Sequence, residues 1–189
     1  MKLLLASKSP RRRELLAQLG FPIEYVSIEV DERLAPSTPP LQAAEMLARR
    51  KADAYQGSLS DDEVLVTADT VVLLGNRILG KPANADEASQ MLHSLSGHSH
   101  TVCTGVCLHS KQLTHSFTES TEVHFRTLGD EEIQYYISHY RPFDKAGAYG
   151  IQEWIGMVGV SRIEGCYYNV MGLPLARLYS ELSSKFGSI

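Results

Sequence analysis

Residues 64–74 read Val-Leu-Val-Thr-Ala-Asp-Thr-Val-Val-Leu-Leu, a nearly continuous apolar stretch with one carboxylate in its middle. A stretch of this kind is typical of a strand in the middle of a sheet. A carboxylate at Asp69 is costly there unless it is paired, bound to a metal or protonated. Asp69 is therefore a candidate metal ligand or general base beside a cleft in the sheet. The alternative, an Asp that caps a turn, fits poorly with apolar residues on both sides.

Helices and strands are predicted to alternate on both sides of this stretch. Ser9 and Pro10 have the chemistry of a helix start, and Asn84 with Glu87 resembles a capping box. Strands are predicted at 2–6, 23–28, 64–74, 77–79, 101–108, 113–125 and 158–163, and helices at 10–20, 41–55, from 84, around 133–140 and after Pro174. The pattern predicts an α/β fold with much antiparallel pairing, in a single domain over residues 1–189.

The amino-acid composition argues against a nucleic-acid-binding, a membrane-spanning or a disulfide-rich protein. The 18 Lys and Arg against 22 Asp and Glu give a net charge of −4, which argues against a nucleic-acid partner. An apolar fraction of 43% is enough for a core. Apolar runs of about four residues are too short for a membrane span or a signal-peptide core. Three cysteines do not make a disulfide framework, so we expect a cytoplasmic protein.

Basic residues occupy two unexpected places. Arg11, Arg12 and Arg13 fall in the first turn of the predicted helix, where the helix dipole favours acidic residues, so a bound anion such as phosphate would compensate. The alternative is a solvated basic surface. Lys51 lies on the apolar stripe of the helix at 41–55, either because the stripe opens into a cleft or because the side chain snorkels at its edge.

Three further segments carry weaker signals. Residues 75–82 nearly spell a phosphate-binding P-loop, but Pro82 supplies neither the hydroxyl nor the N–H that the motif needs, and only Lys81 remains as a point charge for phosphate. The acids at 31–32 are either metal ligands or solvated loop residues. Residues 144–152 either line a flat ligand or form a tight loop. The histidines at 93, 98 and 100 have no acid or cysteine spaced to complete a metal site.

Taken together, the motifs of this chain resemble one known family. They lie at residues 7–12, 14–16, 68–72, 81–82, 95–97, 104–106, 144–152 and 172–175. In this order, from about residue 3 to residue 180, they resemble the Maf family of nucleoside triphosphate pyrophosphatases. The ordered set is specific, although no single motif is.

The resemblance implies a fold similar to the inosine triphosphatases, with an elongated mixed sheet flanked by helices and two lobes around a cleft, often as a homodimer. It implies hydrolysis of a nucleoside triphosphate to the monophosphate and pyrophosphate, assisted by a divalent metal cation, Mg²⁺ or Mn²⁺. It assigns catalysis to Asp69 and metal binding to Asp69 and Glu32. Phosphate binding falls on Ser7, Arg12, Lys51 and Lys81.

Substrate choice is implied by three further residues. Arg11, Thr70 and Gln152 match the branch that resembles dTTP/UTP pyrophosphatases, whereas the sister branch acting on 7-methyl-GTP carries a Glu in place of Gln152. The amide of Gln152 can accept the N3–H of uracil or thymine and donate to a ring carbonyl. Cys166 departs from the Ser expected there. Strand alternation places Asp69 and Thr70 on opposite faces, so a kink or bulge is needed if both contact the substrate.

Two alternative functions remain open from the sequence. One is a nucleotide-responsive binding module that affects septum formation, and the other is a purine-specific pyrophosphatase of the same fold. A protein that only binds nucleotides has little need for the carboxylates at Asp69 and Glu32, which favours an enzyme.

Overall fold

The computed structural model describes residues 1–35 and 37–187, which form a mixed α/β protein. The strands in these residues are β1 (Lys2–Ala6), β2 (Ile23–Val26), β3 (Glu63–Leu74), β4 (Arg77–Leu79), β5 (Ser99–His109), β6 (Thr114–Phe125) and β7 (Val160–Glu164). The helices are α1 (Pro10–Ala17), α2 (Ala43–Asp53), α3 (Ala85–Leu95), α4 (Asp130–Tyr140), α5 (Trp154–Gly159), α6 (Tyr167–Met171) and α7 (Leu175–Phe186). Within the described ranges, no helix is long and apolar enough to cross a membrane.

The strands form a seven-stranded sheet in the order β2-β1-β3-β5-β6-β7, with β4 paired to β3. β1 runs parallel to both β2 and β3, whereas β4 and β7 run antiparallel to their neighbours. This mixed sheet, flanked by helices, confirms the α/β prediction.

The chain divides into two compact units. The first contains the described residues of Met1–Asp69, Thr104–Glu119 and Gly172–Ile189, and the second contains Thr70–Cys103 and Ser120–Met171. The first unit packs α2 against its strands through Leu4, Ala48 and Leu65. The core of the second unit includes the apolar faces of α3 and α4. A single domain over residues 1–189 stays a prediction.

Strand β3 pairs with different strands along its length and stays continuous between the two pairings. It pairs with β1 from Glu63 to Thr67 and with β4 from Val72 to Leu74. Asp69 and Thr70 lie between these two pairings, and both are half-buried in a strand that is otherwise mostly buried. Asp69 and Thr70 can therefore keep polar side chains in this strand, because neither is fully buried.

One predicted strand is partly wrong. Residues 158 and 159, expected to start a strand, belong to α5, and β7 begins only at Val160. A Cβ on Gly156 would collide with the backbone of Ile151, so close packing within this turn holds the segment helical. Such a contact between residues five apart overrides the β-preference of valine.

Candidate active site

In the first unit, Lys51 joins two carboxylates. Its Nζ donates a hydrogen bond to Oδ2 of Asp69 and lies 2.7 Å from Oε1 of Glu32. The side chains of Lys51 and Asp69 are only 14% and 15% exposed, whereas that of Glu32 is 47% exposed. A buried carboxylate requires a paired cation, and Lys51 supplies it. This contact explains why a lysine occupies the apolar stripe of α2.

Two contacts fix the position of Lys51 relative to Asp69. Thr67, on the same face of β3 as Asp69, donates its hydroxyl to the carbonyl of Ala48 at 2.6 Å. Gly105 packs against the backbone of α2, and a Cβ there would collide with residues 44 and 45. The helix therefore lies close to the sheet, and its last turn brings Lys51 to Asp69.

The structure distinguishes between the two adjacent acids at 31 and 32. Both carboxylate oxygens of Asp31 accept from the guanidinium of Arg33, at 2.7 to 3.0 Å, and one also accepts from its backbone N–H. These hydrogen bonds lower the pKa of Asp31 to about 2. Asp31 is thus engaged within its own loop, and Glu32 is the acid that reaches Lys51.

Arg12 is connected to the backbone beside Asp69. Its Nε donates to the carbonyl of Gly172 at 2.8 Å, and one terminal nitrogen donates to the carbonyl of Ala68 at 3.0 Å. Burial lowers the pKa of Arg12, and the nearby charge of Asp69 partly offsets this effect. The guanidinium therefore holds the residue before Asp69 and adds positive charge near it.

The start of α1 has the capping geometry that its sequence predicts. Ser9 accepts from the backbone N–H of Arg12 at 3.4 Å, and Ser7 accepts from that of Ser9 at 3.1 Å. Arg13 instead stacks on the ring of Tyr25, 4.8 Å from its centroid, and donates to the carbonyl of Ser7. The arginines of the first turn thus divide between the neighbourhood of Asp69 and the exposed surface.

The second unit holds the other three residues expected at the site, Thr70, Lys81 and Gln152. Thr70 follows Asp69 in β3, and Lys81 is exposed after β4. Oε1 of Gln152 is buried and has no hydrogen-bond partner among the described residues. A buried acceptor without a donor is unfavourable, so this oxygen is suited to a ligand N–H.

A buried network holds the loop that carries Gln152. Lys145 lies 3.1 Å from Oε1 of Glu153, and Tyr136 donates its hydroxyl to Oε2 of the same carboxylate. The hydroxyl of Tyr136 also accepts from the N–H of Gly150 at 3.0 Å. Sequence reasoning missed this network, because a Lys beside Asp144 has the pattern of a solvated pair and Tyr136 that of a core residue.

The three histidines set aside in the sequence each contact a different partner. His93 contacts Asp130, His98 contacts the carbonyl of Ser96, and His100 contacts the hydroxyl of Tyr149. A different group, Glu122, His124 and Glu164, has ligand atoms within 4.8 Å of one another. It lies on paired strands β6 and β7, where Arg162 also contacts Glu164 at 3.1 Å. Arg162 therefore offsets the charge of one of the two carboxylates in this group.

Comparison with known proteins identifies the family. The sequence profile described as "Maf-like protein" matches residues 2–185. The chain belongs to the Maf-like protein family. Two curated relatives are both named dTTP/UTP pyrophosphatase. The protein from Parabacteroides distasonis is 50% identical over 182 residues, and that from Phocaeicola vulgatus is 52% identical over 184 residues. Each alignment covers 96% of this Maf-like chain and 94% of the relative.

Solved structures give more distant matches to this family member. A nucleoside-triphosphatase, dITP/XTP pyrophosphatase, from Mycobacterium abscessus is 17% identical, with a TM-score of 0.40 over 74% of this chain and 95% of its own. The Ham1 protein of Staphylococcus aureus is 10% identical, with a TM-score of 0.43 over 66% of this chain and 72% of its own.

Proposed function

We propose that this protein hydrolyses dTTP and UTP to the nucleoside monophosphate and pyrophosphate. The observation that carries the proposal is Asp69, a half-buried carboxylate in a central strand, paired with Lys51 beside Glu32. Phosphoryl chemistry needs both an acid–base group and cations, and this cluster supplies both. Relatives about half identical along the whole chain carry the same activity in their names.

A divalent cation fits the residues around Lys51. Asp69 and Glu32 contact the same nitrogen, so their oxygens can converge on one cationic centre. Carboxylate oxygens are the ligands that Mg²⁺ and Mn²⁺ prefer. When bound, such an ion would neutralise phosphate charge and lower the pKa of a water molecule. We propose Asp69 and Glu32 as its protein ligands, with Lys51 free to turn toward the phosphates.

The chain's own residues then divide the chemistry among them. Asp69 accepts a proton from the attacking water, whose oxygen forms a bond to the α-phosphorus. The bond from that phosphorus to the oxygen bridging to the β-phosphorus breaks, and pyrophosphate leaves. Cationic and hydroxyl side chains stabilise the charge of the departing group. We assign that role to Ser7, Arg12, Lys51 and Lys81.

Recognition of the base is proposed to rest on Gln152, with Arg11 and Thr70. The buried, unpartnered Oε1 of Gln152 supports this assignment, because uracil and thymine offer an N–H between two carbonyls. The amide can accept from that N–H and donate to one carbonyl. Guanine also offers a carbonyl and an N–H at its corresponding edge, but it carries an exocyclic amine where uracil and thymine carry their second carbonyl, and two adjacent donors suit a carboxylate better than an amide.

The proposed cellular setting follows from the substrate and the cysteines. Cys103, Cys107 and Cys166 are free thiols, which suits the reducing cytoplasm where nucleotides are used. The proposed partner is thus a small nucleotide, and the homodimer implied by the family resemblance stays a prediction.

A nucleotide panel tests the function directly. Pyrophosphate release should be measured with UTP, dTTP, CTP and GTP, with Mg²⁺, with Mn²⁺ and with chelator. We expect UTP and dTTP to give the highest kcat/KM, and chelator to abolish turnover. Preference for GTP would point to the purine-specific alternative. Nucleotide binding without pyrophosphate release in any condition would point to a binding module and would refute the proposal.

A further inference from the structure

Glu32 lies in a segment without regular secondary structure, and Arg50 holds that segment to α2. One terminal nitrogen of Arg50 donates to the carbonyl of Asp31 at 2.7 Å and to that of Arg33 at 2.9 Å. These carbonyls belong to the residues on either side of Glu32. Neighbouring Lys51, on the same helix turn, contacts the Glu32 side chain. The end of α2 therefore contacts both the backbone and the carboxylate of this short segment.

Ile28 packs against the apolar cluster of the first unit, four residues before Glu32, and the other polar contacts at this segment are weaker anchors. The Asp31–Arg33 pair closes within the segment itself and does not connect it to the rest of the protein. Lys8 contacts Glu29 at 3.2 Å, but both side chains are largely exposed, and pairs of this kind contribute little. Arg50 is thus the anchor that orders the backbone at Glu32 against the helix that carries Lys51.

We propose that Arg50 is a positioning residue that sets the carboxylate of Glu32 for the divalent cation. The inference rests on the proposed function, which makes Glu32 a ligand of that cation. Residues that orient a metal ligand typically change metal affinity about 10- to 100-fold when removed. In this role Arg50 acts through the carbonyls of Asp31 and Arg33, on either side of Glu32.

Arg49 provides a matched control on the same helix. It carries the same charge one residue earlier, but it donates a long hydrogen bond, 3.4 Å, to the hydroxyl of Ser116. Electrostatics alone predicts that removing either arginine strengthens cation binding, because one repulsive charge is lost. A loss of affinity in Arg50→Gln has the opposite sign, and it therefore reports positioning rather than charge.

The experiment measures Mn²⁺ binding without nucleotide, from the electron paramagnetic resonance signal of free Mn²⁺. We expect Arg50→Gln to weaken Mn²⁺ binding about 10-fold, Arg50→Lys to weaken it less, and Arg49→Gln to leave it equal or slightly stronger. In a Glu32→Gln background, Arg50→Gln should have no further effect. Thermal unfolding followed by circular dichroism checks that each variant is folded.

Three results would overturn the inference. One is Mn²⁺ affinity in Arg50→Gln equal to that of the unmodified protein, and another is an equal loss in the Glu32→Gln background. The third is unchanged Mn²⁺ affinity in Glu32→Gln itself, which would remove Glu32 from the metal site. Pyrophosphate release from UTP by the unmodified protein is measured separately, so a failure of the proposed activity is distinguishable from a failure of the Arg50 assignment.

Discussion

Each of the two units contains a lysine that bridges two carboxylates, and the two arrangements differ in what completes them. In the first unit, Lys51 contacts Asp69 and half-exposed Glu32, which lies in a loop. In the second unit, Lys145 contacts Asp144 and Glu153, and its side chain is only 9% exposed. Similar ionic chemistry therefore occurs in two different settings.

In the second unit, the carboxylate of Glu153 has a further hydrogen-bond partner within the protein. The remaining oxygen of Glu153 accepts from Tyr136, and the same hydroxyl accepts from the backbone N–H of Gly150. These hydrogen bonds order the loop before Gln152 and give the network a structural role. Each cluster also has one acid that is exposed to solvent, Glu32 at 47% and Asp144 at 56%, so exposure does not distinguish them. The clusters differ in their partners: Tyr136 ties Glu153 to the loop before Gln152, whereas Lys51 joins a carboxylate of β3 to one from a loop, and those two carboxylates are the pair we propose for the metal.

The largest expected effect separates the two aspartates. Asp69→Asn should lower kcat for UTP about 10²- to 10⁴-fold, because the amide cannot accept the proton of water. Asp144→Asn, the same change at the exposed acid beside Lys145, should leave kcat within about threefold. Steady-state kinetics and thermal unfolding of both variants check this. Nearly full turnover by folded Asp69→Asn would contradict the catalytic assignment.

Removing either lysine should cost stability, but only removal of Lys51 should also remove a group that we assign to phosphate binding. Lys145→Met should lower the free energy of unfolding by about 3 kcal/mol, since it leaves the carboxylate of Glu153 buried without its cation. Lys51→Met should lower it by a similar amount, because Asp69 is as buried as Glu153, and it should lose UTP turnover even where the variant is folded. Urea unfolding and UTP turnover measure the two effects. Full turnover by folded Lys51→Met would contradict its assignment to phosphate binding.

A buried histidine should make the stability of the second unit depend on pH. His100 is 2% exposed, and burial lowers its pKa from 6.5 to about 4. Between these values the unfolded chain binds more protons, so stability falls as pH falls from 6.5 to 4, by about 3 kcal/mol at most.

Unfolding by urea at several pH values tests this dependence. His100→Gln should flatten the change between pH 6.5 and 4, and His98→Gln, at an exposed position in the same unit, should not. An unchanged pH profile in His100→Gln would show that other groups cause the loss.

The smallest expected effect concerns the base. Gln152→Glu should lower kcat/KM for UTP and dTTP about 5- to 150-fold relative to GTP, which corresponds to a mispaired buried polar group of about 1–3 kcal/mol. The carboxylate only accepts hydrogen bonds and repels the pyrimidine carbonyls. Gln134→Glu, at an exposed position of α4, controls for the added negative charge. An equal loss on UTP, dTTP, CTP and GTP would show that Gln152 does not read the base.

Much of the fold follows from local patterns in the sequence. The apolar stretch at 64–74 predicted the central strand, and Asn84 with Glu87 predicted the start of α3, where the capping bond measures 2.9 Å. Such features depend on residues a few positions apart, so sequence alone determines them. The anomalous charges at Asp69 and Lys51 were also visible, because each interrupts an apolar pattern.

Other features depend on contacts between distant parts of the chain, and only the tertiary structure decided them. The sequence offered two adjacent acids, and the fold paired Asp31 with Arg33 and Glu32 with Lys51. It offered two readings of Lys51, and the packing of α2 on β3 brought it to Asp69. Lys145, Glu153 and Tyr136 carried no signal as a set. Their ionic and polar groups meet only when the loop folds back on α4, and sequence periodicity records no such long-range contact.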